Sequence, residues 1–457
     1  MPTKILFFVL LLATVDGYAQ QNLRPDVPVA VVGGMLLDGN EAEPIHHSVV
    51  VFENGKITAV GNRENTPIPP QAVVIDAGGR TVMPGLIDAH IHIDLIGHGS
   101  YERLYEFMNG MERIHEFMTI AAKQMLRAGV TTGLDLGAPF QAFEFRDRVR
   151  RGEVPGPRLL LSGPWITRTD YDIIPDEYEI IIGSPREAAQ RTRELVDRGV
   201  DVIKTWEGLT AEDYHAIVEV AHEAGIKVHA HLYDPVRIRY AIDAGVDVFQ
   251  HVGSAGNPPY DEKLVAEIAH RNIPVVQTIA HRIWVYPATV AFPERLYDPV
   301  YRKDMPPDIH AEFIASVENF RRLSYFADIG RDTRNARISA RQFIEGGAWI
   351  GLGTDAASPL NMHTEAIWRE MSALVESGMT PMQVISAATK SNARILGLDD
   401  DLGTIEPGKF ADLIIVDGNP LRNIEVLDYV DVVIKDGVVW YAERAASGPV
   451  TEIGHGF

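Results

Sequence analysis

The sequence predicts an α/β fold: a (β/α)8 barrel with a small β-sandwich domain built from both chain ends. In the middle of the chain, apolar strand-like runs alternate with amphipathic helical stretches, which is the pattern of βα units. At both ends this alternation gives way to short β-runs that are broken by turn residues. The 457 residues are 46% hydrophobic and 23% charged, which is ordinary for a globular protein.

Eight candidate strands lie in the middle of the chain, and eight parallel strands close a barrel. They are residues 82–92, 129–135, 158–162, 200–206, 227–231, 246–251, 273–278 and 348–355. Helical stretches separate them, such as residues 211–224 after the cap-like Thr210. We assign residues 83–402 to the barrel.

The short β-runs near the two ends share one texture. They are residues 29–32, 48–52, 57–60, 73–76, 402–417 and 430–441. One domain built from both ends accounts for them, and we assign residues 20–82 and 403–445 to the β-sandwich. Residues 446–457 form a tail.

Residues 1–19 have the pattern of a secretory signal peptide. Lys4 precedes the apolar run 5–12, and Gly17-Tyr18-Ala19 forms a small-residue cleavage site. The run is too short to span a membrane, and a chain without cysteine can carry no lipid on a cysteine side chain. We therefore predict a periplasmic or secreted enzyme with no membrane contact after cleavage. The alternative is a disordered N-terminal tail.

The net charge of −21 argues against nucleic acid and anionic membranes as partners, because phosphate binding needs a basic stripe. A small-molecule substrate is the expected partner. The sequence leaves a homo-oligomer open.

Ligand-type residues lie at the ends of several predicted strands. His90 and His92 are two residues apart, so both side chains lie on one face of a strand and can bind one metal ion. Four further residues end apolar β-like runs: Lys204, His231, His251 and Asp355. The C-terminal strand ends of a barrel surround one mouth, so we expect all six to converge. His231 is preferred to its neighbour His229 because it is nearer the end of its strand.

Two segments are candidates for the walls of this mouth. Residues 280–334 form a connection too long for an ordinary link, and we predict a partly helical lid or pocket wall; a surface insertion without function is the alternative. The loop after His92 would form the opposite wall through His98, Tyr101, Tyr105 and Phe107.

Some lone polar residues in loops are expected to be surface residues. They are the histidines His98, His281 and His310 and the arginines Arg168, Arg282 and Arg302. Any of the three arginines could instead bind a substrate carboxylate. We expect Asp88 to support the histidine pair structurally.

Several motifs together resemble the amidohydrolase superfamily, and more narrowly its imidazolonepropionase-like and prolidase-like branch. They are Pro84-Gly-Leu-Ile-Asp-Ala-His-Ile-His92, Gly129-Val-Thr-Thr132, Gly353-Thr-Asp355, Ala387-Ala-Thr389 and Leu402-Gly-Thr-Ile-Glu-Pro-Gly-Lys-Phe-Ala-Asp412. Their order matches the family, and the resemblance covers essentially all of the chain after residue 19.

The resemblance implies a site with two divalent metals. His90, His92 and Asp355 would bind the more buried ion, and His231 and His251 the second. Lys204 would bridge the two ions as a carbamate. Without that modification the site would hold a single metal. Zinc suits these ligands, and manganese, cobalt or iron suits them nearly as well.

The resemblance also implies a mechanism. Metal-activated hydroxide would attack an amide carbonyl, and Asp355 would pass a proton to the leaving nitrogen. Tyr233 matches a tyrosine that contacts the substrate carbonyl in some relatives, with simple packing as the alternative. Asp355, Lys204 and Tyr233 are thus the catalytic candidates.

We therefore predict an exported metal-dependent amidohydrolase that cleaves an amide or peptide C–N bond in a dipeptide or an N-acyl amino acid. A cyclic amide or lactone hydrolase with the same metals is the main alternative. A non-hydrolytic lyase or isomerase and a non-catalytic binding protein are more remote, because a fold alone does not determine chemistry.

Overall fold

The computed structural model describes residues 27–252 and 259–442 of the chain. The predicted signal peptide, residues 1–19, and the predicted tail, residues 446–457, lie outside these ranges. Within the two ranges, every helix is too short or too polar to cross a membrane.

Strands and helices alternate along the chain as the sequence predicts. The strands are β1 (Val29–Val32), β2 (Met35–Leu36), β3 (Ser48–Glu53), β4 (Lys56–Asn62), β5 (Val73–Asp76), β6 (Arg80–Pro84), β7 (Leu86–Ile91), β8 (Val130–Asp135), β9 (Arg158–Leu161), β10 (Trp165–Thr167), β11 (Glu179–Ile181), β12 (Val202–Thr205), β13 (Lys227–His231), β14 (Val248–Gln250), β15 (Val275–Gln277), β16 (Ile350–Leu352), β17 (Leu413–Asp417), β18 (Val430–Lys435) and β19 (Val438–Ala442).

The α-helices are α1 (Tyr101–Met108), α2 (Ile114–Arg127), α3 (Gln141–Arg150), α4 (Pro185–Asp197), α5 (Ala211–Glu223), α6 (Pro235–Ala244), α7 (Glu262–His270), α8 (Tyr286–Ala291), α9 (Pro299–Arg302), α10 (Pro307–Val317), α11 (Ile329–Glu345), α12 (His363–Glu376), α13 (Pro381–Ser386) and α14 (Asn392–Leu396). Short 3₁₀ turns lie at Asp176–Tyr178, Pro293–Tyr297, Phe320–Arg322, Ser324–Phe326 and Ile424–Asp428, and π-helical turns lie at His281–Val285 and Ala387–Ser391.

Eight parallel strands, β7 to β9 and β12 to β16, form a barrel. Neighbours in each of these two groups pair in chain order. Between the groups, the N–H of Asp201 before β12 donates to the carbonyl of Leu161 in β9 at 2.8 Å. A parallel bridge between Ile91 and Ala356 joins β7 to the segment after β16 and closes the ring. The predicted (β/α)8 fold class is therefore confirmed.

The sandwich also has the predicted origin. The sheet with strand order β19-β18-β17-β6-β2 combines strands from both ends of the chain, and the sheet β4-β3-β1-β5 lies beside it. The two sheets share one apolar core, in which Val31 and Phe52 of one sheet pack in a cluster with Leu413 and Ile434 of the other.

The first predicted strand, residues 82–92, proves to be two strands. β6 pairs antiparallel with β17 in the sandwich, whereas β7 pairs parallel with β8 in the barrel. The chain passes from one domain to the other at Gly85. A Cβ atom there would lie only 2.3 Å from the hydroxyl oxygen of Thr131 on β8, so no side chain fits at the crossing.

The strands β10 and β11 were not predicted. They extend the barrel sheet in the order β11-β10-β12, and all three strands are parallel. β10 and β11 have only three residues each, which is too short for an alternating pattern to show in the sequence. β10 begins with Trp165, and so places an aromatic ring beside the barrel.

The long connection between β15 and β16 is mostly helical. It contains α8 to α11 with three 3₁₀ turns and one π-helical turn. Tyr286, Tyr301 and Phe313 are buried in it. The segment therefore packs against the barrel as a structured layer.

The crossing at Gly85 gives the first prediction. Gly85→Ala should lower the free energy of unfolding by about 1 to 3 kcal/mol, because the new methyl group overlaps Thr131. Gly330→Ala is the matched control: its Cβ meets no atom within 4 Å, and it lies in helix α11, so it should be neutral or stabilise by up to about 1 kcal/mol. Urea unfolding of the two variants measures the difference. Equal stability would contradict this account of the crossing.

Candidate metal centre

The C-terminal ends of the barrel strands surround one cavity of about 590 Å³. Its lining includes all six residues that the sequence predicts to converge, His90, His92, Lys204, His231, His251 and Asp355. They come from β7, β12 and β13 and from the residues that follow β7, β14 and β16. The predicted convergence is therefore observed, while the role of each residue stays a prediction.

Three of these residues form a compact cluster. The Nε2 atom of His92 lies 3.2 Å from Oδ1 of Asp355, and Nε2 of His90 lies 3.7 Å from the same oxygen. One ligand atom from each of the three residues lies within 4.8 Å of the others. The Nε2 atom of His90 is buried and has no hydrogen-bond partner in the part of the chain described. Two imidazoles and a carboxylate with an unpaired buried nitrogen fit a divalent metal ion.

Two more histidines stand beside this cluster. The ring centres of His90 and His251 are 4.2 Å apart, and those of His231 and His251 are 4.6 Å apart. Burial lowers the pKa of all three rings well below the ordinary value, so they are neutral and can offer a lone pair to a metal.

Lys204 is buried among these groups. Burial lowers its pKa from 10.5 to about 7, because an ammonium loses its hydration there. A substantial fraction of Lys204 is then a neutral amine near neutral pH. A neutral amine is the form that can react with carbon dioxide.

Asp355 is held as a carboxylate. Burial by itself would raise its pKa, but the hydrogen bond with His92 brings the pKa below its ordinary value. Its backbone has φ 55°, and that of His251 has φ 66°, a region that residues other than glycine rarely adopt. Strained backbone of this kind is common where side chains are positioned for function.

Hydrogen bonds orient the ligand rings from behind. Nδ1 of His90 lies 2.8 Å from Oε1 of Gln250, and Nε2 of Gln250 lies 2.9 Å from Nδ1 of His229. Nδ1 of His251 lies 2.9 Å from the hydroxyl of Thr278. His229 is fully buried and is not among the residues that line the cavity. This placement agrees with the choice of His231 over His229.

Asp88 supports the site, as expected. Its carboxylate accepts hydrogen bonds from the backbone N–H of His90 at 3.1 Å and from the N–H and hydroxyl of Thr354 at 3.0 and 2.7 Å. Burial raises its pKa to about 7. Asp88 thereby ties the strand that carries His90 to the segment that carries Asp355.

Tyr233 lies at the cavity beside the histidines. Its ring centre is 4.7 Å from that of His231. Burial raises the pKa of Tyr233 well above its ordinary value, so its hydroxyl stays protonated and can donate a hydrogen bond.

The two predicted walls line the cavity in part. Tyr101 and Tyr105 come from the loop and helix after His92, whereas His98 and Phe107 do not reach the cavity. The long connection contributes seven lining residues: His281, Arg282, Tyr286, Arg322, Leu323, Ser324 and Tyr325.

The surface expectation was wrong for three of the lone residues. His98 is buried, with its Nε2 3.6 Å from a Glu312 oxygen, and His281 is buried at the cavity. Arg282 also faces the cavity, close to Asp332 at 3.6 Å. Glu312 of the long connection contacts His98, whereas His281 and Arg282 belong to the connection and are brought to the cavity by its packing on the barrel, which sequence spacing does not reveal. Of the others, His310 is half-buried and Arg302 is exposed. Arg168 is bound through its Nε and Nη2 atoms to Asp213 at 2.6 and 2.9 Å.

An aromatic wall was missed by the sequence analysis. The ring centres of Trp165 and Trp206 are 4.4 Å apart, and Tyr171 stacks on Trp206 at 4.9 Å. Tyr178 continues the wall and donates a hydrogen bond to the buried carboxylate of Asp94. Trp206 directly follows the end of β12, which is the signal in the sequence that could have revealed the wall.

A buried glutamate holds the start of the long connection. Glu370 on α12 accepts hydrogen bonds from the backbone N–H groups of Ile279 and Ala280 at 2.8 and 2.7 Å. His281 and Arg282 follow directly. Burial raises the pKa of Glu370 from 4.5 to about 8.

Comparisons with known proteins identify the family of this chain. A model of the amidohydrolase family matches residues 81–439. An imidazolonepropionase from Thermoplasma acidophilum is 27% identical over 433 residues, which cover 86% of this chain and 91% of that protein. A 5-methylthioadenosine/S-adenosylhomocysteine deaminase from Symbiobacterium thermophilum is 24% identical over 441 residues, which cover 85% of this chain and 85% of that protein. The solved structure of a putative prolidase from Bifidobacterium longum is 26% identical, has a TM-score of 0.69, and covers 92% of this chain and 97% of that one.

The chain therefore belongs to the amidohydrolase family. The resemblance drawn from the motifs is confirmed, and the protein is a metal-dependent hydrolase that acts on carbon–nitrogen bonds.

Glu370 gives a pH prediction. A carboxyl group whose pKa is raised on folding favours the folded state at low pH, and this contribution is lost as the pH rises from 4.5 towards about 8. Glu370→Gln removes the titration, so the stability of the natural protein relative to the variant should fall across this window. Urea unfolding at about pH 5 and about pH 9 measures the change. A difference that does not vary with pH would show that Glu370 stays ionised.

Proposed function

We propose that this protein is an exported amidohydrolase that cleaves the amide bond of a dipeptide or an N-acyl amino acid. The observation that carries the proposal is the cluster of His90, His92 and Asp355 at the bottom of a cavity lined by aromatic and charged side chains. Export rests on the sequence of residues 1–19 alone.

His90, His92 and Asp355 would hold one divalent ion, and His231 and His251 a second, with zinc as the first candidate and manganese, cobalt or iron as alternatives. When bound, the ions lower the pKa of water to near neutrality and polarise the substrate carbonyl. The chain's own groups then have three tasks: to bridge the metal positions, to move a proton and to orient the substrate.

Lys204 would supply the bridge. Its neutral amine nitrogen attacks the carbon of carbon dioxide, an N–C bond forms, one C=O electron pair moves to oxygen, and the nitrogen releases a proton to solvent. The resulting carbamate has two anionic oxygens, which suit divalent cations far better than an amine. The lowered pKa of Lys204 supports this step because it makes the amine available near pH 7.

Asp355 would accept the proton of the attacking water and transfer it to the leaving nitrogen. Its lowered pKa keeps it ionised, which is the form that can take up a proton. An amine anion is a poor leaving group, so cleavage of the C–N bond depends on this transfer. The protonated hydroxyl of Tyr233, on the same side of the cavity as His231, would donate a hydrogen bond to the substrate carbonyl oxygen.

Arg282 supports a substrate with a carboxylate. Its guanidinium lies at the cavity over the rings of Tyr286 and Tyr325, at 5.6 and 5.0 Å from their centres. Its Nε atom is buried and has no hydrogen-bond partner among the described residues. Asp332 approaches Nη1 of Arg282 at 3.6 Å, so a substrate carboxylate would bind at the Nε side of the guanidinium through charge-assisted hydrogen bonds. Dipeptides and N-acyl amino acids both present such a group.

A cyclic amide or lactone is the second candidate substrate. The observation in its favour is the relative named imidazolonepropionase, since an imidazolone is a ring. Product analysis separates the two candidates, because ring opening yields one product and linear cleavage yields two.

Metal content and mass test the proposed centre. We expect two metal ions per chain by elemental analysis and a mass gain of about 44 Da, that of one carbon dioxide, under mild ionisation. One metal without the gain would contradict the bridging carbamate and leave a single-metal site. No metal after careful handling would contradict the metal centre as a whole.

Replacement of a ligand tests the mechanism. His90→Ala and Asp355→Asn should each lower kcat/KM by about a thousandfold or more, because each removes a metal ligand and the second also removes the proton acceptor. Circular dichroism should show an intact fold. Asp399→Asn is the matched control, because Asp399 is an exposed carboxylate. This variant should keep its activity. Near-normal turnover in either cavity variant would overturn the mechanism.

Arg282 gives a test of substrate class. Arg282→Gln should lower kcat/KM for an N-acyl amino acid by about tenfold to a hundredfold, and should leave the corresponding uncharged amide unaffected, because charge-assisted hydrogen bonds contribute roughly 1.5 to 3 kcal/mol. The exposed Arg302→Gln is the control. Equal losses on both substrates would exclude Arg282 as the carboxylate site.

A further inference from the structure

A buried chain of three side chains runs behind the metal centre. Gln250 at the end of β14 stands between His90 and His229, with contacts of 2.8 Å and 2.9 Å. All three residues have no solvent exposure. These three side chains link β7, which carries His90, to β13, which carries both His229 and His231.

The metal centre determines the direction of these hydrogen bonds. His90 can offer a lone pair from Nε2 only if its proton is on Nδ1. The Nδ1–H then donates to the amide oxygen of Gln250. The amide nitrogen of Gln250 must in turn donate to Nδ1 of His229. His229, kept neutral by burial, therefore carries its proton on Nε2.

This Nε2–H of His229 has no acceptor among the described residues, although it is buried. A buried donor without a partner costs about 1 to 3 kcal/mol. The nearest element is β12, where Lys204 stands directly opposite His229 in the parallel register. Both side chains lie on the same face of the sheet.

An ammonium on Lys204 cannot accept a hydrogen bond, since it has only donors. A carbamate on Lys204 carries two anionic oxygens and can accept one. We infer that His229 is a positioning residue, which donates its Nε2–H to the carbamate of Lys204 while Gln250 fixes the tautomers of His90 and His229 together. This inference rests on the carbamate of the proposed function.

The side chains of His90, Gln250 and His229 form a relay, and this relay couples two events at the metal centre. A metal ion on Nε2 of His90 selects the Nδ1–H tautomer, and the relay then places a proton on His229 where a carbamate oxygen needs it. Ligation at the first metal position and carbon dioxide uptake at Lys204 thus favour one another.

Two substitutions of His229 separate its two nitrogen positions. His229→Asn places its amide near the former Nδ1 and keeps the contact with Gln250, but it has no N–H near the former Nε2. His229→Gln reaches the former Nε2 position with an N–H.

We expect the wild type and His229→Gln to show the mass gain of one carbon dioxide, and His229→Asn to lose it together with the second metal ion. Equal mass gain in the wild type and His229→Asn would overturn the inference alone, and so would its loss in both variants. A wild type without the gain would overturn the carbamate and the inference together.

Gln250 gives a second readout that does not depend on activity. Gln250→Leu should weaken metal binding by about tenfold to a hundredfold in competition with a chelator, because His90 is then free to take the wrong tautomer. Gln277→Leu is the matched control: Gln277 is equally buried at the end of the neighbouring strand β15, and its side chain makes no hydrogen bond within the described ranges. Thermal unfolding checks that both variants fold. Metal affinity that is equal in the two variants would contradict the relay, even if His229→Asn does not fold.

Discussion

The burial of titratable side chains at the barrel mouth is the constraint on which the site depends. Burial keeps His90, His231 and His251 neutral and lowers the pKa of Lys204 to about 7, so nitrogen lone pairs are available where protons would otherwise occupy them. Asp355 is kept ionised against this trend by its hydrogen bond with His92. The burial that makes charged nitrogen groups unfavourable thus prepares these side chains to bind cations.

The long connection between β15 and β16 extends this constraint to the substrate. It covers one side of the mouth with Tyr286 and Tyr325 and brings Arg282 to the cavity. Trp165, at the start of β10, and Trp206, directly after β12, form another part of the cavity wall. The barrel strands therefore carry the chemistry, whereas segments outside the barrel shape the space above it. Relatives that share the metal ligands can differ in substrate through these segments alone.

Sequence reasoning recovered what is periodic and local. The alternation of strands and helices predicted the barrel. The ligand-type residues at strand ends predicted that His90, His92 and Asp355 converge, because the two histidines share one face of a strand and the strand ends surround one mouth. It did not separate β6 from β7, since residues 82–87 are continuously apolar or glycine and the crossing at Gly85 shows only in the different pairing partners of the two strands. It misplaced His98, His281 and Arg282 because the packing of the long connection, which contacts His98 and carries the other two residues, is not encoded in sequence spacing. The relay through Gln250 depends on contacts between β7, β13 and β14 that no spacing encodes.

The pairing of β6 with β17 has a consequence for the synthesis of the chain. β6 directly precedes the first barrel strand, but its partner lies more than three hundred residues later, at Leu413–Asp417. On the ribosome, all eight barrel strands emerge while one edge of β6 is still open, and an open edge is a template for pairing with other chains. The sandwich can be completed only when the last strands arrive, so a chain truncated before β17 would keep its barrel residues and yet expose an edge prone to aggregation.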